Sequence, residues 1–367
     1  MPLNCGSMDT NVSQGTIRRV LIIKFGAIGD VVMAIPAVHA LHLAGAKVDW
    51  VCGPAVAPLL ECYPWIRTIV VDDRAILKGS AAERVRELFG LWWAVGWVKY
   101  DLCATLYYDS RYRIVTIPVR SERRILLSRG QRGRKLVAAR HHCDEYARIL
   151  LEEADSCRPE SRMPLRPERL PECGLPARRA AVRVGIVPGG ASNMMRQQTL
   201  RRWPVARYAA LARELLGRGY EVVLIGGPED AWVRPEFSGL GVIDSIGILS
   251  LPEVIAACDT CDVVVSHDTG PMHLAGLSRA ALLGLFGPTD PGNFLPRREG
   301  VRGIWGGEGF ACRPCYDGRD FAPCLDNGCM QQITTRMVLS QMDELLAERA
   351  DGKAGQQRVV LPSSMRA

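Results

Sequence analysis

No stretch of this 367-residue chain holds the roughly eighteen uninterrupted apolar residues that a membrane-spanning helix needs. The longest candidate, Leu88 to Val98 with Trp92, Trp93 and Trp97, is closed by Lys99. It reads as a buried helix, with contact along a membrane surface as the alternative. Met1 to Thr16 is polar and lacks an apolar signal core, so the expected location is the cytoplasm. The thirteen cysteines are odd in number and scattered, which excludes a secreted disulfide framework and suits a reducing compartment. A G-x-G-x-x-G fingerprint is missing, and so is a G-x-x-x-x-G-K-[ST] phosphate loop. Hydride transfer and ATP hydrolysis both lose ground. Zinc-finger spacing, aromatic RNA-binding motifs and a long basic helix are absent too, which leaves nucleic acid without support as a partner.

What is present is the composition of a globular protein with a large core: 48% hydrophobic and 23% charged residues. The length exceeds what a single core usually reaches, so two domains are expected. Strand candidates fall at Val20 to Ile23, Lys47 to Cys52, Thr68 to Val71, Leu102 to Leu106 and Arg124 to Leu127. A second set lies at Val182 to Val187, Glu221 to Ile225, Gly241 to Asp244, Val263 to Ser266 and Leu282 to Phe286. Helical stretches alternate with them, the pattern of two parallel-sheet α/β domains. Between the sets, Pro159, Pro164, Pro167, Pro171 and Pro176 sit among arginines and glutamates without apolar periodicity and mark a linker. The boundaries predicted are 17–155 for the first domain, 156–180 for the linker and 181–345 for the second, with a frayed tail over 352–367.

Two glycine-bearing turns carry the chemistry. Lys24-Phe25-Gly26-Ala27-Ile28-Gly29-Asp30 follows the first strand and precedes a helix running to about Leu41. Ligands of open α/β sheets bind beyond the carboxyl ends of the strands, so Asp30 stands where a substrate would arrive. It could equally cap the helix. His267-Asp268-Thr269-Gly270-Pro271-Met272-His273 repeats this arrangement in the second half. There, backbone N–H groups and Gly270 suit a phosphate, and His273 either meets a ligand or is hydrogen-bonded within a helix–sheet interface. Gly189 and Gly190 end the first strand of the second domain, with Arg201-Arg202-Trp203-Pro204 shortly after. A guanidinium beside a glycine loop suits a pyrophosphate; alternatively the arginines are solvated and Trp203-Pro204 only starts a helix. Gly226-Gly227-Pro228-Glu229-Asp230 ends the next strand, where a carboxylate could accept ribose hydroxyls.

The net charge of +7 is unevenly spread. From Arg111 to Arg140 there are ten basic residues, Arg111, Arg113, Arg120, Arg123, Arg124, Arg129, Arg132, Arg134, Lys135 and Arg140, against the single acid Glu122. Either an anionic partner meets this stretch or it is a solvated face. Cys312, Cys315, Cys324 and Cys329 have the order C-x2-C-x8-C-x4-C, compatible with a small metal knuckle or with reduced, packed thiols.

Taken together, Ile22-Ile23-Lys24 through Gly29-Asp30, the Arg202-Trp203-Pro204 element, Gly226 to Glu229, Asp268-Thr269-Gly270 with His273, Phe286-Gly287-Pro288-Thr289, and Cys312 with Cys315 resemble glycosyltransferase family nine. This is the family of ADP-heptose:lipopolysaccharide heptosyltransferases. The resemblance spans about Arg19 to Leu345. It implies a GT-B architecture, two Rossmann-like domains facing a central cleft, with the last helix packing back on the first domain. By the same resemblance the chain is an inverting, metal-independent transferase with no cofactor, moving a heptose from an ADP-sugar to the lipopolysaccharide core or a similar anionic glycolipid at the inner-membrane surface. Asp30 matches the general base, and burial is expected to raise its pKa. Gly189, Gly190, Arg201, Glu229, Leu249, Asp268, Thr269, Gly270 and His273 are assigned to the donor, and Arg201 replaces a lysine common at that position. Gly29, Arg120, Arg123 and Arg124 are assigned to the acceptor. A monomer peripherally associated with the membrane is expected. The alternatives are a transferase or epimerase of another nucleotide sugar, and a non-catalytic nucleotide-binding protein.

Overall fold

The computed structural model describes residues 17–107, 109, 111–127, 140–151, 163–193, 196–317, 320–352 and 355–365. Its first half runs β1 (Arg19–Ile23), α1 (Ile28–Leu43), β2 (Lys47–Cys52), α2 (Ala57–Leu60), β3 (Ile66–Val70), α3 (Asp73–Lys78), α4 (Ala81–Val95), β4 (Lys99–Thr105), α5 (Arg111–Val115), β5 (Arg120–Leu126) and α6 (His142–Leu151). All five strands are parallel, in the order β3-β2-β1-β4-β5. Strand order therefore reverses at β1, and the crevice between the carboxyl ends of β1 and β4 is a topological switch point. Alternate residues of β1 feed the two faces: Val20 and Ile22 pack with α1 and α6, while Leu21 and Ile23 pack with α4 and α5.

The second half runs β6 (Arg183–Val187), a short hairpin of β7 (Ser192–Asn193) and β8 (Arg196–Gln197), α7 (Val205–Gly217), β9 (Glu221–Leu224), β10 (Ile243–Asp244), α8 (Leu251–Asp259), β11 (Val263–His267), α9 (Gly270–Gly276), β12 (Ala281–Phe286), α10 (Pro291–Phe294), β13 (Val301–Trp305), α11 (Gly328–Gln331), α12 (Thr335–Ala350) and β14 (Arg358–Val360). The sheet order is β10-β9-β6-β11-β12-β13-β14, again parallel, with its reversal at β6. This is the expected α/β architecture of two parallel sheets.

Helix α1 explains how the lobes meet. It is apolar on nearly every side, burying Val31, Val32, Met33, Ala34, Ile35, Ala37, Val38 and Leu41. Such a helix must be covered all round. It is held between its own sheet, α6 and α9 of the second lobe, and one hydrophobic cluster runs unbroken through both lobes. Polar ties reinforce the contact: His141 Nε2 lies 3.0 Å from the Leu295 carbonyl, Arg297 donates to Asp144 at 2.6 Å, and Arg166 is paired with Asp259. Arg166 belongs to the proline-rich crossing segment, where Leu165 also accepts from Tyr63 Oη at 2.6 Å.

Three expectations are corrected. The last long helix, α12, does not return to the first lobe. It packs on the second sheet through Val338, Met342 and Leu345, beside Trp203, Leu211 and Leu283. Buried Arg302 on β13 pins it there, with Glu344 at 2.9 Å and Glu348 at 2.7 Å. Within the stretch expected to fray, Arg358–Val360 forms an outer strand paired with β13. Finally, α4 is not a buried helix. Ser80 and Glu83 close a capping box at its start, Leu88, Leu91 and Val95 are buried in the core with Trp92 and Ala94 partly packed against it, and the opposite face is exposed.

Candidate active site

The loops leaving β1, β6 and β11 face one another where the two switch points meet. The contact is intimate: a Cβ built on Gly29 would lie 2.6 Å from His273 Cδ2, and one on Gly270 would lie 3.1 Å from Ile28 Cβ. Both turns read from the sequence thus come together, and glycine is required at position 29 because the imidazole of the opposite lobe occupies the space of a side chain.

Asp30 sits in the first turn of α1, whose N-cap is Ala27, so it is not the capping residue. Its carboxylate is 2.7 Å from Lys24 Nζ. The lysine side chain is buried and its ammonium lies 4.7 Å from the Tyr107 ring centroid, whereas the Asp30 side chain keeps 31% exposure and remains open to a substrate. Burial acts to raise the Asp30 pKa. The Lys24 charge and hydrogen bond, helped by His142 and His273, outweigh it and hold the carboxyl below its usual value. The expected upward shift is therefore corrected, and the group is an anion at neutral pH. Lys24 had no assigned role in the sequence reading, although its position in the turn was plain.

Opposite Asp30, His273 is buried, which pushes its pKa down to about 4 even though Asp268 and Asp30 favour its charged form. A neutral imidazole therefore stands between two carboxylates. Asp268 accepts from Thr289 Oγ1 at 2.8 Å and from Arg201 Nη1 at 3.1 Å, while its Oδ1 is buried without a partner. Burial would raise the Asp268 pKa, but Arg201, His273 and Thr289 hold it low. Arg201 is braced in turn by Gln198. Behind these, His267 packs against Tyr208, with Nδ1 3.1 Å from Oη, and burial drives its pKa to about 3.

The glycine loop after β6 is organised by Asp230, the neighbour of the Glu229 assigned to the ribose. Asp230 is buried and accepts from Gly190 N at 2.6 Å and Gly227 N at 2.9 Å, tying together the loops after β6 and β9. A Cβ on Gly189 would meet its carboxyl carbon at 2.4 Å, and one on Gly190, at φ +82°, would meet Thr269 Oγ1 at 2.4 Å. Thr269 also accepts from Ala191 N at 2.8 Å. Arg202 donates to the Gly190 carbonyl at 2.8 Å and stacks on Trp232, and Trp203 is buried with its indole N–H on the Ile333 carbonyl. The arginines are thus engaged with the loop and not simply solvated. Glu229 is exposed beside Asp230, and Leu249 is half-buried at the edge of the core. The acidic signal in Gly226 to Asp230 was legible, but which carboxylate turns inward was not.

The acceptor candidates divide. Gly29 lies in the contact between the lobes. Arg120 stands opposite Lys99 at the start of β4, six residues before the carboxyl end at Thr105, or about 20 Å away. Arg124 donates to the carbonyls of Thr116 and Val119 and so braces the loop after α5. Arg123 is partly buried on the same edge strand. The structure does not bring Arg120 and Arg124 to the cleft. Arg129, Arg132, Arg134 and Lys135 lie outside the described residues. Of the four clustered thiols, Cys312 and Cys324 are exposed and Cys315 and Cys329 partly buried, all unpaired. Among the described residues no three His, Cys, Asp or Glu side chains converge as metal ligands, and no helix is long and apolar enough to cross a membrane.

Comparison with known proteins accounts for this arrangement. Residues 184–325 match the profile of Glycosyltransferase family 9 (heptosyltransferase). The chain is 26% identical over 340 residues to lipopolysaccharide heptosyltransferase 1 of Pseudomonas aeruginosa, covering 86% of this chain and 88% of that protein. In structure it is similar to a family 9 glycosyl transferase of Veillonella parvula, at TM-score 0.70 and 21% identity, over 90% of this chain and 97% of that one. It is also similar to the E. coli heptosyltransferase WaaC, solved with ADP and with ADP-2-deoxy-2-fluoro heptose, at TM-scores of 0.64 and 0.62 and 18% identity, over 89% of this chain and 99% of that one. The two sheets have the GT-B fold of these structures. Two nucleotide-type lobes joined at their switch points, together with a second half that matches the family 9 model, make this chain a glycosyltransferase similar to those of family 9.

Proposed function

We propose that this protein transfers a heptose from ADP-heptose to a lipopolysaccharide core or similar anionic glycolipid, with inversion and without a metal. The observation that carries the reading is the meeting of the two turns, which sets an ionised, partly open Asp30 beside buried Lys24 and across from Asp268, Arg201 and His273. A relative 26% identical in sequence is a lipopolysaccharide heptosyltransferase, and a structural neighbour holds ADP and an ADP-heptose analogue.

In this reading Asp30 accepts the proton of the acceptor hydroxyl while its oxygen attacks the anomeric carbon from the face opposite the diphosphate. The bond from that carbon to the phosphate oxygen breaks, and ADP departs with the electron pair. Lys24 holds the carboxylate in one orientation and keeps it ionised, so it is ready to act at neutral pH. The loop of Gly189 and Gly190 lets the main chain approach the diphosphate, and Arg201 with the amides of Thr269 and Gly270 takes up the charge that develops on it. Asp268 holds Arg201 in place, and neutral His273 offers a hydrogen bond without adding charge. Glu229 meets the ribose and Leu249 the adenine, both at the rim of the second lobe. Gly29 lets His273 of the second lobe approach the main chain next to the base.

The test is Asp30→Asn assayed with ADP-heptose and a Kdo-bearing lipid A acceptor. Turnover should fall by about 10²–10⁴-fold, with ADP affinity by calorimetry within about threefold of wild type. The configuration of the product at the anomeric carbon should be inverted, and a chelator should leave the rate unchanged. Retained turnover in Asp30→Asn removes the base assignment. Turnover with UDP-sugars but none with ADP-heptose removes the heptose assignment.

A further inference from the structure

Helix α4 has two apolar faces, and among the described residues only one of them has a partner. Leu88, Leu91 and Val95 enter the core of the first lobe. On the opposite side Val85, Phe89 and Trp93, with Trp97 two residues past the end of the helix, recur every four residues, each between 66% and 70% exposed, and the rings of Trp93 and Trp97 meet edge to face at 5.7 Å. Four-residue spacing lines such residues up along one helix face. Ile117, also exposed, follows α5 beside the end of this helix, where Pro118 O would lie 3.7 Å from a Cβ on Gly96. Aromatic side chains bury more surface than any others, so a row of three in solvent is a cost the fold itself does not recover.

We propose that this stripe docks the protein on an anionic lipid surface. The charge around it selects that occupant. Arg113 and Arg120 are exposed at the ends of the neighbouring elements, Arg86 and Lys99 are exposed beside them though paired with Glu87 and Glu122, and in sequence the stretch from Arg111 to Arg140, part of which lies outside the described residues, carries ten basic residues to one acid. Tryptophan settles at the boundary between headgroups and acyl chains, and flanking Lys and Arg are drawn to anionic headgroups. A second copy of the chain would set these cations against each other. The row of one helix is also small beside the roughly 800 Å² per partner of a stable protein interface. Because α4 lies on the sheet face opposite α1, a bilayer there covers the outer flank of the first lobe and leaves the meeting of the lobes clear. The docking gains its purpose from the glycolipid acceptor proposed above, but its test stands apart from that reading.

That test is co-sedimentation of the full chain with vesicles of phosphatidylglycerol and phosphatidylethanolamine, and separately with phosphatidylcholine alone. The protein should bind the anionic vesicles, less so as salt is raised, with a blue shift of tryptophan fluorescence. Trp93→Ser/Trp97→Ser should bind at least about tenfold more weakly while keeping its melting temperature and its turnover on a lipid-free acceptor fragment. Arg113→Glu/Arg120→Glu should lose affinity for anionic vesicles only. If the tryptophan variant fails to fold, Phe89→Glu reads the same face. Docking is overturned if the wild type stays in the supernatant, or if the tryptophan variant binds as well as wild type. It is equally overturned if that variant instead dissolves a dimer seen by ultracentrifugation in protein that binds no vesicle. Vesicle binding without ADP-heptose turnover keeps the docking and discards the sugar assignment; turnover without vesicle binding does the reverse.

Discussion

Replacing Gly29 with alanine tests the meeting of the lobes at its tightest point. The new Cβ would lie 2.6 Å from His273 Cδ2 and 2.9 Å from Nε2, whereas carbon atoms in contact settle at about 3.5–4.0 Å. Either the imidazole or the start of α1 must therefore retreat by close to an ångström. Overpacking of this kind costs about 1–3 kcal/mol, partly offset by the better helix propensity of alanine. For a chain of this size the melting temperature should drop by a few degrees. Since Asp30 is the next residue, a shift of about 1 Å should also cost on the order of a hundredfold in turnover. His273→Ala supplies the control, because without the ring the methyl group has room. In that background Gly29→Ala should cost almost nothing, giving a coupling of about 1 kcal/mol or more in a thermal-melt double-mutant cycle. Equal losses in both backgrounds would falsify the contact, and with it the argument that the two turns build one site.

Removing the cation that holds Asp30 ionised should move the acid limb of the pH profile. In Lys24→Met the lowering charge and hydrogen bond are gone and burial remains, so the carboxyl pKa rises and kcat/KM begins to fall at a higher pH than in wild type. An unmoved limb would mean that Lys24 does not set the state of the base. Stability should weaken in acid for a separate reason. Burial brings His273 to about 4 and His267 to about 3, below the roughly 6.5 of an unfolded histidine. Between these values the unfolded chain binds the extra protons, so stability is complete above about pH 6.5 and is lost as pH falls. The slope is on the order of 1.4 kcal/mol per pH unit for each histidine. Urea midpoints measured from pH 7 to pH 5 should decline accordingly; a flat series would show that the imidazoles take up protons freely in the folded state.

Local patterns made much of the fold legible. Short β-branched runs such as Val20 to Ile23 and Val263 to Ser266 needed two covered faces, and the turns after them had to lie at carboxyl ends. β13 escaped notice because Arg302 and Gly303 interrupt its apolar pattern, and the partners that let Arg302 be buried, Glu344 and Glu348, lie about forty residues away. The same pair explains why α12 stays on the second sheet. Helix α4 departs from a buried helix because Trp92 packs inward with Leu88, Leu91 and Val95, whereas Trp93 turns to solvent and so does Trp97 just beyond the helix, a division that apolar content alone does not reveal.

The chain by itself determined two α/β halves, the turns at Asp30 and Asp268, and the resemblance carried by their order, since period and turn chemistry act over a few residues. Tertiary structure alone decided the electrostatics: that Lys24 outweighs burial at Asp30, that Asp230 and not Glu229 turns inward, and that His273 fills the space left by Gly29. Charge, burial and close approach depend on which distant groups share a site, and that pairing is set only when the two lobes pack.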